Sequence, residues 1–191
     1  MCRTGLLAGL LACPALFLVA VAALAQSPKY GVGRAPSSEE LQSMDISVLA
    51  DGRGLPPGSG TAAQGKDIYS RRCQKCHGAT GQGGEEGGPL AGGKGSLATP
   101  KPLKTVGSYW PYATTLFDYI RRAMPYDRPG TLTNDQIYAL TAHVLQLNGI
   151  VAESDVIDAK TLPQVKMPNR DGFIKDARPD TGRNRSGASR R

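Results

Sequence analysis

The sequence predicts an all-α fold. Two capping boxes precede apolar runs, one amphipathic run is stopped by proline, and no strand-rich block lies between them. Thr61-Ala62-Ala63-Gln64 sets a hydroxyl three residues ahead of an amide, the pattern that satisfies the first free N–H groups of a helix. The helix it opens runs through Tyr69 into Cys73, with Gly65, Tyr69 and Cys73 at four-residue spacing on one face. A second helix is expected from near Pro111, because a locked φ and a missing N–H suit a first helical turn. Ala113, Leu116, Phe117, Ile120 and Met124 follow the helical period, and Pro125 ends it. The third helix opens at the capping box Thr133-Asn134-Asp135-Gln136. It carries Ile137, Leu140, Thr141 and Val144 on one side and closes at Asn148-Gly149.

Around this core the chain divides into a leader (1–25), an N-terminal extension (26–60), the helical domain (61–150), an extended strap (151–178) and a basic tail (179–191). Arg3, the apolar run Leu6 to Leu24 and Ala23-Leu24-Ala25 before Gln26 read as a secretory signal peptide. As a retained span the run would be of minimal length and is interrupted by Pro14, so no integral membrane span is expected after cleavage. Leu10-Leu11-Ala12-Cys13 loosely resembles a lipoprotein cleavage box, but it falls inside the apolar run. The net charge of +7 belongs largely to the C-terminal end, where residues 169–191 hold seven Lys/Arg against three Asp. No basic patch is interleaved with aromatics, so a nucleic-acid partner is unsupported. From Asp180 onward there is too little apolar surface to bury, and disorder is expected.

Cys73-Gln74-Lys75-Cys76-His77 carries the chemistry. Residues three apart on a helix are neighbours, so two thiols can add to the two vinyl groups of one porphyrin while the adjacent imidazole reaches the iron. A structural zinc site would need four ligands, and the other cysteines, Cys2 and Cys13, lie in the leader. A thioredoxin-like C-x-x-C belongs beside a βαβ pattern, and none is visible. Haem c, one per chain and covalent, is the expected cofactor, with Cys73 and Cys76 as anchors and His77 as an iron ligand. The mature chain then keeps no cysteine pair for a disulfide. The long Gly-rich stretch from Gly78 to Gly95 suits a loop laid closely against a flat cofactor. It lacks the residue order of a phosphate-cradling loop.

Met44, Met124, Met167 and His143 are the remaining side chains able to fill the second axial position. Met124-Pro125, at the end of the second helix, resembles the Met-Pro axial signature of class I cytochromes c. Met167-Pro168 is its rival, and His143 reads as a packing or surface histidine within the third helix. A thioether raises the reduction potential relative to bis-histidine ligation, and with both faces closed only outer-sphere electron transfer remains. Gly88-Pro89-Leu90 resembles the class I stretch in which the proline carbonyl, here that of Pro89, accepts the axial histidine's free N–H. Tyr109, Trp110 and Tyr112 could line the haem edge or simply pack. Arg121, Arg122 and Arg128 could serve a propionate, a docking face or a solvated cluster.

Longer stretches carry a closer resemblance: Tyr30-Gly-Val-Gly-Arg-Ala-Pro36, Gly54-Leu-Pro-Pro-Gly-Ser-Gly60, residues 105–125, Leu147-Asn-Gly-Ile150 and residues 158–173. Together these resemble the cytochrome c subunit of sulfur-oxidation enzymes, the sulfite or sulfane dehydrogenase type. The resemblance implies a class I cytochrome c fold with long irregular N- and C-terminal extensions and a periplasmic location. It also implies a partner subunit with molybdopterin, of sulfite-oxidase type, that supplies electrons, and a soluble cytochrome c that accepts them. Some members carry a second haem domain, whereas this sequence has a single C-x-x-C-H. A freestanding periplasmic shuttle and a haem enzyme with a displaceable axial ligand are the competing readings. The segments 30–60 and 150–175 are expected to lie as straps across the haem domain and to offer a docking surface. Removing 150–175 is accordingly expected to weaken a complex while leaving the haem spectrum intact.

Overall fold

The computed structural model describes residues 31–174, which divide into two units at Met44/Asp45. The leader and the basic tail therefore lie outside the described residues, as does the end of the strap. The first unit holds a short helix α1 (Ser38–Met44) that buries no side chain. Ser37 caps it: its Oγ accepts the Glu40 N–H at 3.2 Å while Glu40 Oε2 accepts the Ser37 N–H at 2.7 Å. Arg34 pairs with the same carboxylate.

The second unit is built on α2 (Ala62–Arg72), α3 (Gln74–His77), α4 (Ala113–Ala123) and α5 (Asn134–Leu147), with short 3₁₀ turns at Ser96–Ala98 and Leu162–Gln164. Both capping boxes form as their sequences dictate, at Thr61/Gln64 and Thr133/Gln136. α4 begins two residues later than Pro111, with Tyr112 as its N-cap, and its C-cap is Met124. Two features depart from a purely helical expectation. The helix entering the cysteine motif breaks at Cys73, which caps both α2 and α3. A two-residue antiparallel ladder also joins β1 (Ser59–Gly60) to β2 (Ile157–Asp158).

α5 is the centre of the core. Ile137, Tyr138, Leu140, Val144 and Leu145 are buried, and each large side chain taken from water contributes about 1.5–3 kcal/mol. α2 crosses α5 at Gly65, where a Cβ would stand 2.0 Å from the Ala139 carbonyl oxygen. Only a glycine permits that approach of backbone to backbone. α4 reaches α5 through Phe117, whose ring meets Tyr138 with centroids 4.5 Å apart.

The flanking segments of this unit are part of the same core. Val48 is buried, and its N–H donates to Asp118 Oδ1 at 2.9 Å; Tyr138 Oη donates to the Pro56 carbonyl at 2.8 Å. Ile157, Leu162 and Met167 sit in the main hydrophobic cluster. Residues 150–175, expected to lie as a strap across the haem domain, thus supply part of its core. Deleting them would strip three buried side chains from the core. Among the described residues, no helix is long and apolar enough to cross a membrane.

Candidate functional site: a cysteine-histidine turn under a glycine loop

Cys73 closes α2 with its N–H on the Tyr69 carbonyl at 2.8 Å and then starts a new turn. The Cys76 and His77 N–H groups both return to the Cys73 carbonyl, at 3.2 and 2.9 Å. This single turn sets both thiols and the imidazole on one short element, and both cysteines are free and half-buried. Tyr69 steadies it from below. Its phenol is buried and donates to the Gly78 carbonyl at 2.9 Å, just where Gly78 leaves the turn with a positive φ of 78°. Burial pushes the Tyr69 phenol up to about 12, with the neighbouring Cys73 thiol adding to it.

His77 is oriented by the loop that follows. Its Nδ1 lies 2.9 Å from the Gly88 carbonyl oxygen. A carbonyl only accepts, so Nδ1 carries the proton and Nε2 keeps a lone pair. The acceptor is therefore Gly88 rather than Pro89, one residue earlier than the resemblance implied. Hydrogen bonding fixes this register: the Gly84 N–H closes on the Gly87 carbonyl at 2.9 Å, and the Leu90 and Ala91 N–H groups both donate to the Gly81 carbonyl. The Gly88–Pro89 peptide is what those two anchors leave facing the ring. Gly87 makes the approach possible, since a Cβ there would fall 2.8 Å from the Cys76 carbonyl and 2.9 Å from His77 Nδ1.

Asn148 ties the loop to the helical core. Its side chain accepts from the Gly92 N–H at 3.2 Å and donates to the carbonyls of Leu90 and Val144 at 3.1 and 2.8 Å. Sequence reasoning gave Asn148 only a C-capping role, because its loop partners are remote in sequence. Buried Thr105 and Ser108 add a second tie, with Thr105 Oγ1 donating to the Gly92 carbonyl and Ser108 Oγ to the Leu103 carbonyl, each at 2.6 Å.

The two thiols sit in different surroundings. Burial pushes Cys73 up to about 11, the Cys76 thiol contributing. Cys76 is raised chiefly by its hydrogen bond to Glu86, whose Oε2 is 3.2 Å from Sγ. Both are therefore held as thiols at neutral pH, unlike the depressed thiolates of a redox dithiol. Among the described residues, no cluster of three or more His, Cys, Asp or Glu is gathered as a metal site, so the fourth ligand of a zinc centre is missing. The donor set suits a porphyrin instead: two neutral thiols, one imidazole with Nε2 free, and a glycine backbone lying close above.

The other sequence-nominated ligands separate clearly. Met124 caps α4, is half-buried and packs at the edge of the core. Met167 is 3% exposed within the core, and Met44 is 82% exposed in the first unit. His143 is buried against the Tyr69 ring with centroids 5.0 Å apart, and burial lowers its pKa. Trp110 meets Tyr119 edge-on. The arginines are spent locally: Arg121 on the Ile46 carbonyl, Arg122 on Asp118 and Arg128 on Asp127.

Comparison with known proteins places this geometry. The Cytochrome c family model matches residues 62–148, the span from α2 through the end of α5. The chain is similar to one in the crystal structure of the sulfane dehydrogenase SoxCD from Paracoccus pantotrophus. The two are 44% identical with a TM-score of 0.73, over 81% of this chain and 76% of that one. The chain belongs to the cytochrome c family: it is a class I c-type cytochrome of all-α fold, an electron-transfer protein whose cofactor is covalently bound haem c.

Proposed function

We propose that this chain is a periplasmic monohaem electron-transfer subunit. It takes electrons from a molybdopterin subunit of sulfite-oxidase type in a sulfite or sulfur dehydrogenase and passes them to a soluble cytochrome c. Cys73 and Cys76 would anchor the haem through their sulfurs, and His77 and Met124 would hold its iron. When bound, the haem supplies a one-electron iron couple. The chain's own residues do the rest. The Gly88 carbonyl holds the proton on His77 Nδ1 and so presents Nε2. The glycine loop, with Gly87 and Gly88 close against the ring, covers the Nδ1 side of His77. Met124, as a soft thioether, biases the couple toward the reduced state. With His77 and Met124 both holding the iron, substrate would have no place on it, so by itself the chain would carry electrons and not act as an enzyme.

The observation that carries this reading is the imidazole fixed at 2.9 Å on Gly88, on the same short turn as two free thiols. The similarity to a chain of a sulfane dehydrogenase supports the partner. Two measurements test it. Cys73→Ala with Cys76→Ala, produced under haem-ligating conditions, should yield chain without covalent haem by mass spectrometry; haem retained covalently would overturn the anchors. Mixing the holo-protein with the separately purified molybdopterin subunit and sulfite or thiosulfate should reduce the haem, and reduction should then pass to added soluble cytochrome c. A haem that stays oxidised while the molybdenum subunit is competent with an artificial acceptor would overturn the partner assignment.

A further inference from the structure

A cleft of about 660 Å³ opens on the second unit, between residues 97–109 and residues 169–174. Its walls are tied to each other. Asn169 Nδ2 donates to the Tyr109 carbonyl at 2.7 Å, and the Tyr109 and Phe173 rings meet edge-on at 5.2 Å. Gly172 makes the second wall possible, since a Cβ there would fall 1.8 Å from Asn169 Oδ1. The cleft is thus a braced feature of the fold rather than a gap between loose loops.

Its lining is apolar where it faces water. Phe173 is 51% exposed and Ile174 94%, with Leu97, Pro102 and Tyr109 beside them. Nothing in the electron-carrier chemistry needs these side chains, and the core is complete without Phe173 and Ile174. Exposed aromatic and aliphatic side chains grouped in a cleft mark a binding surface.

The charge around it is mostly basic. No Asp or Glu occurs from Gly87 to Phe117, a stretch that carries Lys94, Lys101 and Lys104. Lys104 Nζ is held 5.0 Å over the Tyr109 ring, at the lip of the cleft. Arg170 stacks over Tyr112 at 4.4 Å, and Asp171 is the one acid in the strap wall.

We propose that this cleft is the docking site for an acidic protein surface that rests an apolar side chain against the Tyr109–Phe173 pair. Resting on the function proposed above, the inference assigns this acidic surface to the molybdopterin subunit. The basic rim steers the encounter and sets its salt dependence, while the aromatic floor supplies the contact that persists. The cleft's ties also lead back to the haem loop. Ser108 Oγ reaches the Leu103 carbonyl, and Thr105 Oγ1 reaches that of Gly92. A partner seated here rests on the structural support of that loop.

The test uses the full-length holo-cytochrome and the separately purified molybdopterin subunit, with binding measured by calorimetry at about 50 mM and about 500 mM salt. Lys101→Glu with Lys104→Glu should weaken binding by about tenfold or more at the lower salt and much less at the higher. Phe173→Ala should weaken it by about tenfold at both. Unchanged visible spectra report that each variant is folded. Binding by the wild type that neither variant alters would overturn the docking site and leave the proposed function standing. Failure of the wild type to bind would overturn the partner assignment and the docking site with it. Weakening by Phe173→Ala alone would overturn the acidic character of the partner.

Discussion

Gly65→Ala is the substitution that reads the helix crossing most directly. On an isolated helix the change would help, by about 1 kcal/mol, because alanine loses less backbone entropy. In this fold the new methyl would lie 2.0 Å from the Ala139 carbonyl oxygen and 2.8 Å from His143 Cβ. Carbon–oxygen contacts settle near roughly 3.3–3.6 Å, so α2 would have to retreat by more than about 1 Å. The obstacle is backbone, which cannot turn aside as a flexible side chain would. Over-packing costs about 1–3 kcal/mol, and a backbone obstacle puts this site at the upper end, about 2–3 kcal/mol, leaving a net loss of about 1–2 kcal/mol after the propensity gain. Urea unfolding of the holo-protein followed by far-ultraviolet circular dichroism measures it, with Gly88→Ala as the comparison, since a Cβ at Gly88 meets nothing within 4 Å. If Gly65→Ala were as stable as the wild type, the close crossing of α2 on α5 would be refuted.

Three further outcomes follow from the packing. Asn148→Ala should lower stability by about 1–3 kcal/mol in the same urea assay, because the Leu90 and Val144 carbonyls lose their donor and the loop loses its tie. Met167→Ala should cost about 2–5 kcal/mol of stability while leaving the visible spectrum unchanged, as a core residue and not a ligand. His143 gives the pH dependence. Its pKa is lowered in the fold, chiefly by burial, so below the ordinary value near 6.5 the unfolded chain binds the extra proton first. Its share of the stability is present in full above that value and falls away as pH drops through the folded pKa. Urea midpoints of His143→Gln should therefore fall less steeply from neutral pH to pH ~5 than those of the wild type. Equal slopes would show that the group is not buried neutral.

The residues that spoke clearly in the sequence were those whose signal is local. Thr61 and Thr133 announce helix starts because a cap is settled within four residues, and both boxes form. Gly65 and Tyr69 share a face by spacing alone, and both are buried. Ser37 and Glu40 carry the same local signal for α1, but its two apolar residues, Leu41 and Met44, are too few to show a helical period. What stayed hidden depends on remote partners. A two-residue ladder such as Gly60 with Ile157 has no period to detect. Ile157, Leu162 and Met167 follow neither helical nor strand spacing, so their place in the core appears only once α4 and α5 are assembled. The Gly88 acceptor was missed by one residue because the loop's register is set by the Gly81 and Gly87 carbonyls, a matter of three-dimensional closure. Asn148 and Glu86 found roles in the site for the same reason.

The charge-transfer band of a thioether on oxidised haem iron, recorded for the wild type, Met124→Ala and Met167→Ala, addresses the carrier mechanism most directly. The band should be present in the wild type and in Met167→Ala and absent in Met124→Ala, with the midpoint potential of Met124→Ala shifted downward. A band that survives in Met124→Ala, or that disappears in Met167→Ala instead, would contradict the closed axial pair and with it the assignment of the chain as an electron carrier alone.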